Sequence, residues 1–389
     1  MPAAQGLLLP IREFLLVALT AAAVTYLLTG LVRKIAIRVG AIANPRARDV
    51  HVTPIPRMGG VGIYFGLAAA MGLAHQLPAL GHGFDASLDS VGVLIAAGVI
   101  SLIGVLDDRF ELDAWTKLAG QVMCAGILII FGVQWVSFWV PWGGGGDSFG
   151  SVLVLDKNQG ALLTVVMVVL MVNAMNFVDG LDGLAGGLGF IAAAATCTFS
   201  LNLLVTTGGS FVDAGTYAPA LIAAALAGAC LGFLPYNFQP AKIFMGDSGS
   251  MMIGLVLAGA TISASGRVNY LRYTASDALA LLSPLVVVVA VLFIPVLDLV
   301  LAVIRRTRRG ESPFAADKMH LHHRLLEIGH SQRRAVLLIY FWAGILAFGA
   351  VSVTLFDSAV VFWVIGAGLV VAVLVSLVPR LRARHHRGG

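Results

Sequence analysis

The sequence predicts an all-α integral membrane protein that crosses the bilayer many times. Of the 389 residues, 59% are hydrophobic and only 12% are charged. The mean hydropathy of +0.92 lies well above the range of soluble domains. Apolar runs of roughly 20 residues, the length that a helix needs to cross a bilayer, recur along the chain. Because backbone polar groups in lipid must be paired within their own segment, these runs are predicted to be helices.

About eleven spans are expected by this criterion, in one transmembrane domain that covers residues 1–389. A β-barrel is disfavoured, because residues 91–106 and 285–303 are apolar all round, whereas barrel strands alternate between two faces. The first span is expected to be retained, since no A-x-A cleavage site with a soluble domain follows it. The predicted spans are residues 14–32, 59–77, 90–106, 116–133, 159–175, 183–204, 216–234, 249–265, 279–304, 335–356 and 358–378.

The basic residues predict a periplasmic N-terminus and a cytoplasmic C-terminus. In that orientation, 21 of the 25 Lys and Arg residues lie on the cytoplasmic side, as the positive-inside rule requires. We therefore expect a multi-pass protein of the inner (plasma) membrane. The isoelectric point of about 9.3 follows from this topology and from attraction to anionic lipid. No interleaving of aromatic and basic residues indicates nucleic-acid binding.

The three cysteines are predicted to be packing residues. Cys124, Cys197 and Cys230 all fall inside predicted spans, and they show no C-x-x-C spacing. Neither a disulfide framework nor a zinc site is therefore indicated.

Five polar clusters interrupt the apolar sequence, and all of them fall on the predicted cytoplasmic side. Because they lie at the ends of predicted spans, we expect the helices to bring them together at one face of the membrane. They combine carboxylates that suit a hard cation with cations that suit phosphate. The clusters begin at His51, Asp107, Asn173, Tyr236 and Arg308.

The first two acidic clusters are candidates for a metal or phosphate site. Asp107 and Asp108 are adjacent where a span leaves the membrane, and they are costly to desolvate unless they meet a cation or a proton. A solvated loop is the alternative interpretation of this pair. Asn176, Asp179 and Asp182 recur at a spacing of three, which places their oxygens on one side of a helical turn. Such a set could surround a hard cation.

Asn237 and Asp247 form a third acidic cluster, in which prolines and glycines shape a loop. Asp and Asn oxygens suit Mg2+, which takes one or two carboxylates together with phosphate oxygens of a substrate. The predicted cofactor is therefore Mg2+, with Mn2+ as the alternative. The predicted metal ligands are Asp247, Asn176 and Asp179.

Cations dominate the segment that follows the ninth predicted span. His320, His322, His323 and Arg324 come after a run of arginines, and they would supply donors and positive charge to a phosphate group. Part of the arginine run is expected to serve only topology or anionic lipid. Zinc binding is the alternative for the histidines, but no thiol accompanies them.

Carboxylates for a metal, cations for phosphate and a hydrophobic surround together predict phosphoryl transfer to a lipid. A distant alternative is an ion-coupled transporter with carboxylates in broken helices. A transporter should place its polar residues near the midplane and show inverted repeats, and no repeat is visible. A non-catalytic scaffold for lipid phosphate is disfavoured, because an anion-binding site would not collect so many acidic side chains.

Five strings in these clusters are specific enough to suggest a family. They are PRMGG at 56–60, DD at 107–108, NAMNFVDGLDGLAGG from Asn173, NFQPAKIFMGDSGS from Asn237 and SPFAADKMHLHHRL from Ser312. Over about residues 44–334, the chain resembles the polyprenyl-phosphate N-acetylhexosamine-1-phosphate transferases.

The last string separates two branches of that family. HLHHRL after SPF and DK is similar to the branch that uses UDP-GlcNAc, whereas the UDP-MurNAc-pentapeptide branch typically carries LHHHFE. The resemblance therefore implies transfer of GlcNAc 1-phosphate from UDP-GlcNAc to undecaprenyl or decaprenyl phosphate, with release of UMP, as the first membrane step of a cell-envelope polysaccharide. The phospho-MurNAc-pentapeptide transferase of peptidoglycan synthesis is the alternative. A homodimer is also implied as possible.

The resemblance further implies a role for each acidic residue. Asp247 and Asn176 would hold Mg2+ against the diphosphate, and Asp179 and Asn237 would shape that site. Asp107 and Asp108 would meet the polyprenyl phosphate, whose oxygen would attack the phosphorus attached to the sugar. Direct attack and a covalent intermediate both remain open.

The resemblance assigns the remaining residues to the nucleotide, phosphates and sugar. Phe244 would stack on uracil and Asp182 would hydrogen-bond its edge, because an aromatic face near a buried acceptor suits a planar base. Phosphate or sugar contacts are implied for Lys117, His322, His323 and Arg324, and we add His320 from the same string.

Overall fold

The computed structural model describes residues 9–43, 54–140, 151–206, 217–266, 329–356 and 358–385, with a few isolated positions between 293 and 310. Eleven helices lie in these ranges and are numbered here in chain order. They are α1 (Ile11–Arg38), α2 (Gly59–Gln76), α3 (Pro78–Ala86), α4 (Asp89–Phe110), α5 (Ala114–Ile130), α6 (Lys157–Val178), α7 (Leu184–Thr206), α8 (Ala218–Asn237), α9 (Asp247–Ser265), α10 (Gln332–Leu355) and α11 (Ser358–His385).

The predicted class, an all-α polytopic membrane protein, is confirmed. Eight of the described helices are long and apolar enough to cross a membrane, and the bent pair α2–α3 makes up to nine. Ten of the predicted spans coincide with a described helix, with ends shifted by a few residues. The expected span at 279–304 lies almost wholly outside the described residues, so the total of eleven stays a prediction.

Helix α3 was not predicted. It continues α2 after a bend of 100° at Leu77, and Pro78 occupies its first turn, where the missing N–H costs nothing. Glu13 of α1 accepts hydrogen bonds from the backbone N–H groups of Ala79 at 3.1 Å and Leu80 at 2.9 Å. The carboxylate of one helix thus satisfies the open amino end of another.

Two short antiparallel strand pairs also lie outside the all-helical expectation. Strand β1 (Ile42–Ala43) pairs with β2 (Ile55–Pro56), and β3 (Ser137–Val140) pairs with β4 (Ser151–Val154). Each pair closes a loop between two helices. The first pair leads directly into α2 and contributes to the site described below.

Helix α9 is the centre of the bundle. It packs against α2, α4, α6, α7 and α8, and every residue from Ser248 to Ser265 is buried. The peripheral helices α1 and α11 bury only 28% and 11% of their most apolar segments. A helix that touches no lipid can carry serines and threonines, because their hydroxyls donate to backbone carbonyls one turn earlier, as Thr261 does to Leu257.

Helices α4 and α9 run antiparallel and define the two ends of the bundle. At one end, Ser263 donates to the buried carboxylate of Asp89. At the other end, α4 finishes beside the first turn of α9, where Gly104 lies against Ser248. We call this second end the site end, because the acidic clusters converge there.

Glycines allow the backbones to approach closely at the site end. A Cβ on Gly60 of α2 would lie 2.2 Å from the backbone nitrogen of Gly249, and one on Gly104 would lie 2.3 Å from that of Ser248. These distances are far below van der Waals contact, and the opposing atoms are backbone that cannot rotate away. Small residues therefore set how close α2 and α4 come to α9.

We expect Gly60→Ala and Gly104→Ala to lower the stability of the folded protein by about 1–3 kcal/mol each, the usual cost of overpacking. Gly72→Ala is the matched control in α2, since a Cβ there meets no atom within 4 Å and alanine favours a helix. The measurement is thermal unfolding of purified protein in detergent. A Gly60→Ala variant as stable as Gly72→Ala would contradict the close approach.

Candidate active site

Lys117 joins two of the predicted acidic residues into one charged cluster. Its ammonium Nζ lies 2.6 Å from Oδ2 of Asp107 and 3.0 Å from Oδ2 of Asp247. Asp107 lies in the last turn of α4, Asp247 begins α9, and Lys117 is the fourth residue of α5. The DD string, the GDSGS string and the lysine, separated by up to 140 residues, therefore meet at one point of the site end.

The two adjacent aspartates have different environments. Asp107 is 7% exposed, and its Oδ1 accepts from the backbone N–H of Leu112 at 2.7 Å. Asp108 turns to α9 instead, and its two oxygens accept from the backbone N–H groups of Asp247 at 3.0 Å and Ser248 at 3.3 Å. Gly246 precedes α9 and has no side chain that could cap it. The carboxylate of Asp108, which belongs to α4, caps α9 instead.

Gly246 makes this cap possible. Its φ of 73° lies in the left-handed region that favours glycine. A Cβ at that position would also lie 2.3 Å from Oδ2 of Asp108. The glycine of the GDSGS string therefore admits a carboxylate to the amino end of α9, where the helix dipole stabilises negative charge.

The PRMGG string attaches the loop before α9 to the start of α2. The backbone N–H of Phe244 donates to the carbonyl of Pro56 at 2.8 Å, and Gly59 N–H donates to the carbonyl of Phe244 at 3.0 Å. Met58, between them, has a φ of 75°, which is unusual for a residue with a side chain. The predicted uracil-stacking residue, Phe244, is thus fixed by its backbone on both sides.

Asn176 lies beside the first turn of α9. Its side-chain N–H donates to the hydroxyl of Ser250 at 2.9 Å, and that hydroxyl donates to the carbonyl of Gly246 at 3.1 Å. The same amide interacts with the carboxylate of Asp247. Ser250 was missed by the sequence analysis, although its position three residues after Asp247 on a helix would have placed it on the same face.

Asp179 follows the last turn of α6 and is partly buried. Burial, together with repulsion from the carboxylates of Asp247 and Asp108, raises its pKa to about 8, although the attraction of Arg57 opposes this rise. These carboxylates are close enough to repel one another. An additional cation beside them would relieve that repulsion.

Asn237 fixes the loops around the cluster. It is 2% exposed, its Oδ1 accepts from Gly183 N–H at 3.1 Å, and its Nδ2 donates to the Ile243 carbonyl at 3.1 Å. Asp182 accepts from the backbone N–H of Ala241 at 3.0 Å. Both predicted site residues thus connect the turn between α6 and α7 with the loop between α8 and α9.

Two arginines outside the predicted set hold the same loop. Arg33 of α1 donates to the carbonyl of Lys242 at 3.0 Å, and Arg333 of α10 donates to the carbonyl of Gln239 at 3.1 Å. Tyr340, also on α10, donates its hydroxyl to the carbonyl of Gly183. No motif marked these residues, because they contact backbone groups far away in the sequence.

The comparisons with known proteins agree with the geometry. A family model described as glycosyl transferase family 4 matches residues 90–265. A decaprenyl-phosphate N-acetylglucosaminephosphotransferase of Mycolicibacterium smegmatis is 55% identical over 96% of this chain and 90% of its own length. The protein of that name from Mycobacterium tuberculosis is 55% identical over 97% and 92%. A probable undecaprenyl-phosphate N-acetylglucosaminyl 1-phosphate transferase of Bacillus subtilis is 31% identical over 87% and 85%.

The chain belongs to the polyprenyl-phosphate N-acetylhexosamine-1-phosphate transferases. The resemblance found in the five strings is thereby confirmed. In this transferase the structure brings together eight predicted residues at the site end. They are Asp107, Asp108, Lys117, Asn176, Asp179, Asp182, Asn237 and Asp247.

The predicted histidine string belongs to a part of the chain that the structure does not describe. His320, His322, His323 and Arg324 lie outside the described residues, as does His51 at the start of the first cluster. Their roles in the transferase stay predictions. The described part of α10 begins at Gln332, whose side-chain oxygen accepts from the amide of Gln239 at 2.5 Å.

The oxygen donors described at the site end are of the kind that suits a hard cation such as Mg2+. In the ranges given above, no three His, Cys, Asp or Glu side chains are grouped as a metal cage. Asp247, Asp179 and Asn176 instead offer two carboxylates and one amide oxygen, and the amide nitrogen of Asn176 is held by Ser250. Mg2+ takes one or two carboxylates and completes its shell with water and substrate phosphate.

We expect Asp108→Ala to destabilise the transferase by about 1–2 kcal/mol, because it removes the cap of a buried helix. Asp108→Asn should lose much less stability, since an amide oxygen can still accept from the N–H of Asp247. Unfolding midpoints of the two variants in detergent, measured against the unmodified protein, test this. Equal losses in both variants would contradict the capping role.

Proposed function

We propose that this transferase moves GlcNAc 1-phosphate from UDP-GlcNAc to a polyprenyl phosphate, releasing UMP and leaving a polyprenyl-pyrophosphoryl-GlcNAc. The observation that carries the proposal is the joining of Asp107 and Asp247 through Lys117 at the ends of three apolar helices. Decaprenyl phosphate is the carrier named for the relatives at 55% identity, and undecaprenyl phosphate is named for those near 31%.

The residues of the cluster have distinct tasks in this reaction. Asp247 and Asn176, with Asp179 beside them, would hold Mg2+, which supplies charge neutralisation of the diphosphate when it is bound. Lys117 carries positive charge to the point where phosphate oxygens gain charge during transfer. Asn237 and the backbone of residues 56–60 keep Phe244 and its loop in place for the nucleotide.

Direct attack by the lipid phosphate is the mechanism we propose. One of its oxygens forms a bond to the phosphorus attached to GlcNAc, while the bond from that phosphorus to the bridging oxygen breaks and leaves its electron pair on UMP. The aspartates are poor nucleophiles in this arrangement. Asp107 and Asp247 are ion-paired with Lys117, and both oxygens of Asp108 accept hydrogen bonds from α9.

We propose that the site faces the cytoplasm, and the distribution of Lys and Arg residues supports this orientation. The site end carries Arg33, Arg57, Lys242 and Arg333, whereas Arg12 and Lys157, near the starts of α1 and α6, lie at the opposite end. Positive residues bias a loop to the cytoplasm of an inner membrane. The one-sided cluster also disfavours the transporter alternative, whose polar residues should lie near the midplane.

Purified protein with Mg2+, UDP-GlcNAc and decaprenyl phosphate is expected to release UMP and to place labelled GlcNAc in the lipid phase. UDP-MurNAc-pentapeptide in the same assay tests the alternative branch. Turnover with the pentapeptide nucleotide but not with UDP-GlcNAc would reverse the assignment, and failure with every UDP-HexNAc would overturn the enzymatic function.

Asp247→Asn is expected to reduce turnover by at least about a hundredfold, as loss of a group that neutralises phosphate charge does, while the protein stays folded. Removal of divalent cations with EDTA should abolish turnover of the unmodified protein, and added Mg2+ should restore it. Asp85→Asn is the matched control, because Asp85 is an exposed residue of α3 far from the cluster. Unchanged activity of Asp247→Asn would remove this residue from the metal site.

A further inference from the structure

A pair of amide side chains inside the bundle connects α5 to α6. Asn173 of α6 donates through Nδ2 to Oε1 of Gln121 on α5 at 2.7 Å, and to the carbonyl of Val169 at 2.7 Å. In the opposite direction, Nε2 of Gln121 donates a longer hydrogen bond of 3.5 Å to Oδ1 of Asn173. Gln121 is 3% exposed, and no role follows for either residue from the reaction described above.

The pair lies directly beneath the active site. Gln121 is four residues after Lys117 on α5, and Asn173 is three residues before Asn176 on α6. Residues at these spacings share one face of a helix. The face of α5 that presents Lys117 to the carboxylates is therefore the face that presents Gln121 to α6.

Helix α5 needs such a contact more than its neighbours do. With 17 residues, Ala114–Ile130, it is the shortest of the described helices that coincide with a predicted span. Its outer side is not covered by other described helices, since Trp115 is 74% and Ile130 is 81% exposed. Apolar side chains discriminate poorly between alternative rotations of a helix that is surrounded by other apolar groups, whereas a buried amide finds its partner in one register.

We propose that Gln121 and Asn173 are positioning residues for the transfer reaction. Their hydrogen bonds fix the rotation of α5 against α6, and this sets Lys117 between Asp107 and Asp247 while Asn176 faces α9. The inference rests on the proposed function for its kinetic consequence. Its geometric part, the placement of Lys117, stands independently of the substrate.

The kinetic test replaces the amide by an apolar group of similar size. Gln121→Leu is expected to lower kcat about tenfold, because a small displacement of a charged catalytic group has effects of this order. The KM for UDP-GlcNAc should stay within about twofold, since Gln121 touches no substrate-binding group. The exchange variant Gln121→Asn/Asn173→Gln, which keeps two amides in the interface, should recover part of the lost kcat.

Thr164→Val is the matched control. The Thr164 hydroxyl accepts from the backbone N–H of Trp135 at 3.0 Å and donates to Gly160 at 2.8 Å. Thr164 therefore also connects α6 to the segment that follows α5, but this contact lies near the start of α6, at the end of the bundle opposite the site. Thr164→Val should lower the unfolding midpoint in detergent as Gln121→Leu does and leave kcat unchanged.

A second measurement does not depend on turnover. The rate at which an acetylating reagent modifies Lys117, followed by mass spectrometry of the purified protein, should rise severalfold in Gln121→Leu and remain unchanged in Thr164→Val. Unchanged Lys117 reactivity, or an equal fall of kcat in both variants, would overturn the proposal. Inactivity of the unmodified protein with every UDP-HexNAc would instead overturn the proposed function, and the reactivity measurement would still decide the placement of Lys117.

Discussion

The amino end of α9 is the constraint on which the rest of the site depends. It gathers the carboxylates of Asp107, Asp108 and Asp247 where water gives way to apolar protein, and such an arrangement is unfavourable unless each negative charge meets a partner. Lys117 pairs with two of them through its single positive charge, and the backbone N–H groups of α9 donate to the third. Each of these partners comes from a different segment, so the bundle must be assembled before the cluster can exist.

The glycine-rich strings of this transferase are explained by contacts between backbones. Gly59 and Gly60 bring the first turn of α2 against the loop before α9, and their N–H groups donate to the carbonyls of Phe244 and Met245 at 3.0 Å each. Larger residues would separate these segments. The PRMGG string is thus a packing motif that positions the site, and its Arg57 also attracts the carboxylate of Asp179.

Most of the fold could be predicted, because a helix that crosses a bilayer needs an apolar run of about 20 residues, and such runs are visible in the sequence. The bend between α2 and α3 could not be predicted, because the composition around Leu77 and Pro78 is that of an ordinary loop between two helices. The site was predicted as a set of aspartates and asparagines, but the different partners of Asp107 and Asp108 were not. Asp107 and Asp108 are identical and adjacent in sequence, and only the packing of α4 against α9 turns one to Lys117 and the other to a helix end. Partners such as Arg33 and Tyr340 contact backbone groups, and such contacts leave no pattern in a sequence.

The complete burial of α9 separates the site from the lipid. A helix that faces a bilayer must adapt its tilt when the hydrocarbon thickness changes, and in this bundle that adaptation falls on outer helices such as α1 and α11. Asp247 begins a helix that is buried from Ser248 to Ser265, so its position is set by protein contacts on all sides. Of the three residues joined by ion pairs, Asp247 is therefore the one that we expect to respond least to membrane thickness, even though one substrate is itself a lipid.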